Sequence, residues 1–358
     1  MKKHISFPSI EQFRNVIAGI NRQYNFVGLL ENGEPVYDTT RTKPTLTFKG
    51  TVKLHGTNAG VCYNKTDGIW YQSRENIITP EKDNAGFAFF AESNKAVFQE
   101  LFAQVIDKTI PYVDPTQNTI SIFFEWAGTG VQKNVAISNI KKSAFIIGIK
   151  ITPHTNSEEE SKNKPAFWVD FSGIRNEECK IYNILDFPTY DVEIDFDKPE
   201  LSVNKILDLT LKVEENCPVA KHFGFDGIGE GLVFSCEHKG SVLRFKSKGD
   251  KHAGKSKIKT LKPVDDGKIS KLIELADKLT PEWRLDQMLT NTFNLLNNGE
   301  LDIKRLGEYI KNVNADILKE EIDVIAEAGF EYKDIAKYVS EISKKYFFQR
   351  FNEVTGLK

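Results

Sequence analysis

The sequence predicts a mixed α+β domain followed by an all-helical one. Three observations carry this. Apolar residues alternate with a period of two in several stretches between Thr45 and Lys246, the spacing that turns one side of a strand to a core. From Ile269 onward they recur at helical spacing instead, as in Ile269, Leu272, Ile273, Ala276 and Leu279. Between the two patterns stands Pro263-Val-Asp-Asp-Gly267, which reads as a linker. The expected domains are residues 1–262 and 263–358.

Taken in order, Ser9-Ile-Glu-Gln12 has the form of a capping box and should open a short helix with Ile10, Phe13, Ile17 and Ile20 on one side. Residues 25–44 read as irregular loop. Leu46, Phe48, Val52 and Leu54 predict strand interrupted near Gly50, and Asp67-Gly68 a hairpin turn between residues 61–63 and 69–74. A helix is expected over 84–107, then strands at 119–126, 145–151 and 166–171, with a loop at 155–160. An acidic stretch precedes two further strands, 231–235 and 242–246. Beyond the linker, a helix follows Ile269, another starts with Pro281 at its first position, and others cover 301–311, 314–328 and 332–351.

Composition narrows the function. Hydrophobic residues make up 40% of the 358, enough for a sizeable core and too many for wholesale disorder. The chain holds no uninterrupted apolar run of membrane-spanning length, and Met1-Lys-Lys-His4 leads into no apolar signal segment, so an intracellular, cytoplasmic protein without a membrane partner is expected. Cys62, Cys179, Cys217 and Cys236 are scattered, which argues against a disulfide framework or a zinc site. The net charge is only −2, yet residues 239–262 hold nine Lys/Arg against one acid, and residues 186–215 nine acids against three lysines. A local basic run of that kind suits a polyanionic partner.

Lys53 stands at a strand end between apolar Val52 and Leu54 and leads into His55-Gly-Thr-Asn58. A lysine is a nucleophile only as the neutral amine, and its reference pKa near 10.4 means that desolvation or neighbouring positive charge must help. By itself, a lysine in a turn is ordinarily solvated structure. Further segments follow in order: Ser73-Arg-Glu75, then Phe123-Phe-Glu125-Trp-Ala-Gly128, then Glu230-Gly-Leu-Val-Phe234. Arg244-Phe-Lys246-Ser-Lys248 puts three cations on one face of a strand.

Together these segments resemble the nucleotidyltransferase motifs of polynucleotide ligases and capping enzymes. Lys53-Leu-His-Gly-Thr-Asn58 is similar to the K-x-[DH]-G-x-N motif, and its histidine matches the RNA ligase 2 family of phage-type, double-strand RNA ligases. Phe124-Glu-Trp-Ala-Gly-Thr-Gly-Val-Gln-Lys-Asn-Val135 resembles that family's E-x-A-G-x-G-I-Q-K-N-V run, and the likeness extends diffusely to residues 283–320. The resemblance implies an antiparallel-sheet, ATP-grasp-like nucleotidyltransferase domain with helices packed outside, followed by a helical domain that engages nicked duplex.

It also implies an activity: an ATP-dependent, Mg²⁺- or Mn²⁺-requiring RNA ligase, a monomer that seals 3′-OH/5′-phosphate nicks in double-stranded RNA or an RNA/DNA hybrid. RNA repair in a phage-infected cell is the setting that the likeness suggests. Lys53 would take AMP covalently, and Lys246 and Lys248 would hold the α-phosphate charge. Glu125 would bind the ribose, and Glu230 would orient Lys53 or the hydration shell of a metal. Arg74 would contact ribose or phosphate, Thr57 and Asn58 would sit against the phosphate, and His55 would act mainly after lysine adenylation. Val52 and Leu54 would line the nucleotide site, Val52 touching adenine through its backbone, because it stands where the phage enzymes carry glutamate.

A second departure concerns the base. The family has an aromatic residue and an aspartate on the strand after Q-K-N-V, but here that strand reads Ala144-Phe-Ile-Ile-Gly-Ile149. One alignment puts Ile147 against adenine, and a shift puts Phe145 there. Two other readings remain at this stage: a DNA ligase or GTP-dependent capping guanylyltransferase, and a non-catalytic duplex-RNA-binding protein. The histidine and the helical C-terminus speak against the first, since those enzymes append an OB barrel. The presence of every motif lysine speaks against the second.

Overall fold

The computed structural model describes residues 2–29, 35–109, 112–155, 157–249, 251, 265–297 and 299–355. The chain forms two compact units. The first comprises Met1–Val16, Leu46–Ile194 and Ser202–Lys262; the second comprises Ile17–Thr45, Asp195–Leu201 and Pro263–Lys358. Among the described residues, no helix is long and apolar enough to cross a membrane.

In chain order the elements are β1 (Glu11–Gln12), α1 (Phe13–Asn25), β2 (Phe26–Leu29), β3 (Pro35–Tyr37), β4 (Thr45–Lys53), β5 (Thr57–Asn64), β6 (Gly68–Ser73) and β7 (Ile77–Ile78). Then come α2 (Phe87–Ser93), α3 (Lys95–Thr109), β8 (Asn118–Ala127), β9 (Ser143–Pro153), α4 (Glu158–Asn163), β10 (Phe167–Val169), β11 (Ile181–Asn183) and β12 (Thr189–Asp195). They are followed by α5 (Val203–Glu215), α6 (Pro218–His222), β13 (Gly231–His238) and β14 (Ser241–Lys248). The C-terminal helices are α7 (Asp266–Leu279), α8 (Glu282–Phe293), α9 (Leu306–Glu320), α10 (Ile322–Glu327) and α11 (Tyr332–Thr355).

Two sheets, mostly antiparallel, build the first unit. One runs β1-β14-β13-β4-β12; the other runs β10-β9-β8-β5-β6-β7, with β11 added parallel to β9. Strand parity gives each sheet two distinct faces. On the larger one, Val61, Ile122, Phe124 and Trp126 pack with Phe87, Phe98 and Phe102 of α2 and α3. Phe98, Leu101, Phe102 and Val105 are all buried along α3, each stabilising by about 1.5–3 kcal/mol relative to exposure. The opposite face carries Cys62, Trp70 and Phe123, which cluster with Ile5 and Phe7. The smaller sheet stacks Phe234 on Phe245, with Phe48 and Phe13 against the same ring.

The second unit has its own core. Leu272, Leu285, Leu289, Tyr309, Val313, Ile317, Val339 and Phe347 meet at helical spacing from α7, α8, α9 and α11. Arg284 is buried among them, its guanidinium donating to the Leu279 carbonyl at 2.8 Å and to Glu321 at 2.6 Å.

Several expectations change in the fold. No helix starts at Ser9: Glu11 and Gln12 pair parallel to Phe245 and Lys246, and the helix begins at Phe13. Residues 25–44 include the β2–β3 hairpin. β4 runs unbroken through Gly50, where the Phe234 ring lies 2.7 Å from where a Cβ would stand. The helix expected over 84–107 is two, separated at Asn94, and the loop at 155–160 contains the start of α4, capped by Ser157. Pro281 caps α8 from outside rather than opening it. The pair expected at 301–311 and 314–328 is instead α9 and α10, separated at Glu321. The acidic stretch holds β12 and the buried-faced α5, which its charge concealed. Pro263 and Val264 of the linker lie outside the described residues, as do Asp250 and 252–262 of the basic run.

Candidate active site

Three strands of the smaller sheet carry the site in rows. Lys53 ends β4 with its Cα opposite Gly231 of β13, which is opposite Lys248 of β14. Thr51, Val233 and Lys246 make the next row, and Lys49, Ser235 and Arg244 the third. Alternate strand residues share a face, so Arg244, Lys246 and Lys248 all project to one side of the sheet. Gly231 has φ +139°, and a Cβ there would run into the Ser247 carbonyl, so only glycine admits this close crossing.

Glu230 precedes β13 and is 3% exposed. Lys53 Nζ donates to its Oε2 at 2.7 Å, and Lys248 Nζ lies 2.6 Å from its Oε1. His55 Nδ1 is 3.4 Å from the same Oε2. Burial pushes this carboxyl up, but His55, Lys53 and Lys248 together outweigh it and hold it well below the usual carboxylate range. Glu230 is thus an anchor for two lysines and a poor proton acceptor.

Glu125 behaves in the opposite way. It sits on β8 opposite Asn58 of β5, and its Oε1 accepts the Gly56 N–H at 2.9 Å. Desolvation raises its carboxyl to about 7 although Lys53 and the Gly56 N–H pull it down. The turn between β4 and β5 is fixed from both sides: Gln132 Nε2 donates to the Gly56 carbonyl at 3.2 Å, and a Cβ on Gly56 would meet the Trp126 carbonyl. Lys246 is lowered by burial and then by Lys248, Lys53 and Arg74. Lys53 and Lys248 therefore bracket one carboxylate whose ionised form is favoured, with Lys246 close by on the same strand as Lys248.

A cavity of about 430 Å³ runs between the two sheets from Lys53 to Arg244. Four of the candidate residues, Glu125, Val52, Leu54 and Ile147, line it, and Val233 and Trp168 are among its other apolar walls. Phe145 does not reach it. That ring is fully buried and stacks on Tyr182 at 5.5 Å. The ring is taken up by a cluster with Tyr182, Phe187 and Phe223, while an irregularity in the β8–β9 register, where Phe123 pairs with Gly148 and Phe124 with Ile146, leaves Ile147 without a partner on β8. Thr57 and Arg74 line a different cleft. The Thr57 hydroxyl accepts from Asn84 at 3.0 Å, and Arg74 reaches Ser9 and Glu75 while its charge still acts on Lys246.

Direct metal ligation by Glu230 does not fit, because both of its oxygens are engaged with lysines. Among the described residues, no group of three His, Cys, Asp or Glu side chains could hold a metal ion. Glu125 keeps one oxygen without a hydrogen bond among the described residues. The residues fit an ion that arrives with its water shell on a polyphosphate rather than one held in a protein cage. Sequence reasoning assigned no role to Gln132, though it lies in the 124–135 motif segment, nor to Arg244 and Trp168.

No family profile matches this sequence, and no curated protein matches it. Among solved structures, the chain is similar to an RNA ligase of Naegleria gruberi with PPi, at 18% identity and a TM-score of 0.40 over 71% of this chain and 59% of that one. A variant of the same enzyme with ATP and Mn gives 19% identity, a TM-score of 0.40, and 71% and 58% coverage. The chain thus spans less than two thirds of the length of these enzymes.

Proposed function

We propose that this chain is an ATP-dependent RNA ligase that seals 3′-OH/5′-phosphate nicks in duplex RNA through a lysyl-AMP intermediate. One observation carries the reading: Lys53 Nζ is held 2.7 Å from buried Glu230 and lines a cavity that also carries the apolar side chains of Val52, Leu54, Ile147 and Val233. A nucleoside triphosphate offers a flat base to such apolar surface and concentrated negative charge to the lysines beside it. Ile147 and Val233 offer aliphatic surface to the base, while Lys246 and Lys248 of β14, opposite Val233 and Gly231, supply charge for the phosphates.

The neutral Lys53 amine attacks the α-phosphorus; an N–P bond forms and the P–O bond to pyrophosphate breaks. Lys246 and Lys248 stabilise the charge on the phosphoryl oxygens during in-line displacement. The proton that Lys53 sheds cannot rest on Glu230, whose proton affinity is too low. Glu125, titrating at about 7 and within electrostatic reach of Lys53, is the carboxylate able to take it. Bound Mg²⁺ would neutralise triphosphate charge. AMP then passes to a 5′-phosphate, and the 3′-hydroxyl displaces it to close the nick. The helical unit and the basic run would engage the duplex backbone, giving salt-sensitive affinity.

Incubation with α-³²P-ATP or α-³²P-GTP and Mg²⁺, followed by a denaturing gel, tests the first step. Acid-labile label on the wild type and none on Lys53→Ala is the expected result. Absence of label from AMP-free wild-type protein with either nucleotide would refute it.

A further inference from the structure

At the end of the cavity away from Lys53, Arg244 lies over the Trp168 ring at 4.0 Å and 5.6 Å from the centroid of Phe7. Lys150 Nζ is 5.9 Å from the same Trp168 ring. Two carboxylates besides Glu125 line the cavity, Asp170 and Glu237. Asp170 is occupied by Lys108 and Ser172, and no ion pair joins Arg244 to either one among the described residues. Burial alone pulls Arg244 down to about 10, with no carboxylate opposing it. A half-buried cation whose neighbours are an aromatic face and a second cation is incompletely compensated, since ring stacking replaces only part of its lost hydration.

Position gives this cation a purpose. Lys248 shares a row with Lys53, and Arg244 is four residues back along β14. At about 3.3 Å per residue, the rows stand about 13 Å apart, close to the reach from an α-phosphorus to the outer edge of a purine. Ile147 and Val233 line the space between.

We propose that Arg244 reads the outer edge of the nucleobase and makes this a general purine site rather than a strict adenine site. The inference rests on the nucleotide-binding reading above. A guanidinium only donates hydrogen bonds, so it selects an edge that carries acceptors. Guanine and hypoxanthine present O6 and N7 side by side to such a fork, whereas adenine sets a donor amine beside N7. Arg244 therefore binds GTP and ITP at least as well as ATP. Trp168 holds the guanidinium plane in place.

Equilibrium binding of ATP, GTP, ITP and inorganic tripolyphosphate to the full chain and to Arg244→Met and Arg244→Lys tests this. Methionine keeps apolar contact with Trp168, and an unchanged circular dichroism melt verifies folding. In wild type, GTP and ITP should match or exceed ATP. Arg244→Met should lose about ten- to a hundredfold for GTP and ITP. It should lose less for ATP and nothing for tripolyphosphate, with Arg244→Lys intermediate. Wild type that binds ATP but rejects GTP and ITP, or an Arg244→Met variant with unaltered ratios, overturns the assignment while leaving the ligase reading intact. Wild type that binds no nucleotide overturns both.

Discussion

Replacing Glu125 with glutamine separates burial from charge at this site. In the folded protein the carboxyl rises from an ordinary 4.5 to about 7, so the fold disfavours its ionised form. Between those two values the folded state holds more protons than the unfolded chain, and stability falls as pH rises through that window. At 1.36 kcal/mol per pH unit, the full effect above pH 7 is about 3 kcal/mol. Glutamine removes the titration while keeping a carbonyl oxygen for the Gly56 N–H. Glu125→Gln should therefore match wild type near pH 4.5 and exceed it by about 3 kcal/mol at pH 8. Urea unfolding followed by tryptophan fluorescence reads this, since Trp70, Trp126 and Trp168 all lie in the first unit. A difference that is constant from pH 5 to pH 8, or that favours wild type at pH 8, would refute the argument. Lysine adenylation by the same variant should be impaired, because the proton acceptor is gone.

Glu230→Gln should destabilise the first unit by about 2 kcal/mol, below the 3–5 expected for a wholly buried pair because Lys53 and Lys248 keep 20% and 27% exposure. Since the folded carboxyl is depressed, its contribution is present above about pH 4.5 and lost as pH falls below it; urea midpoints at pH 7 and pH 3 that differ equally from wild type would contradict this. Arg284→Met should lower the stability of the helical unit by about 3 kcal/mol, because it strands the Glu321 carboxylate that the guanidinium now holds at 2.6 Å. Far-ultraviolet circular dichroism melting checks it, and an unchanged transition would mean that the pair contributes nothing.

What the sequence determined by itself was chiefly local. Period-two alternation located β8, β9, β13 and β14, and helical spacing located the C-terminal helices, because those patterns follow from backbone geometry alone. The K-x-H-G-T-N segment singled out Lys53, and strand parity put Arg244, Lys246 and Lys248 on one face before any fold was known. Pairing between distant strands decided the rest. Ile147 rather than Phe145 reaches the cavity because Tyr182, Phe187 and Phe223, from later in the chain, take up the Phe145 ring, packing that no local pattern encodes. Arg74 and Thr57 sit in a separate cleft because Ser9 and Asn84, far away in sequence, claim them. Glu125 and Glu230 are both strand-end carboxylates in the sequence, yet one is driven to about 7 and the other far below the carboxylate range. Desolvation and the number of cations within reach set that difference, and both are properties of packing in three dimensions.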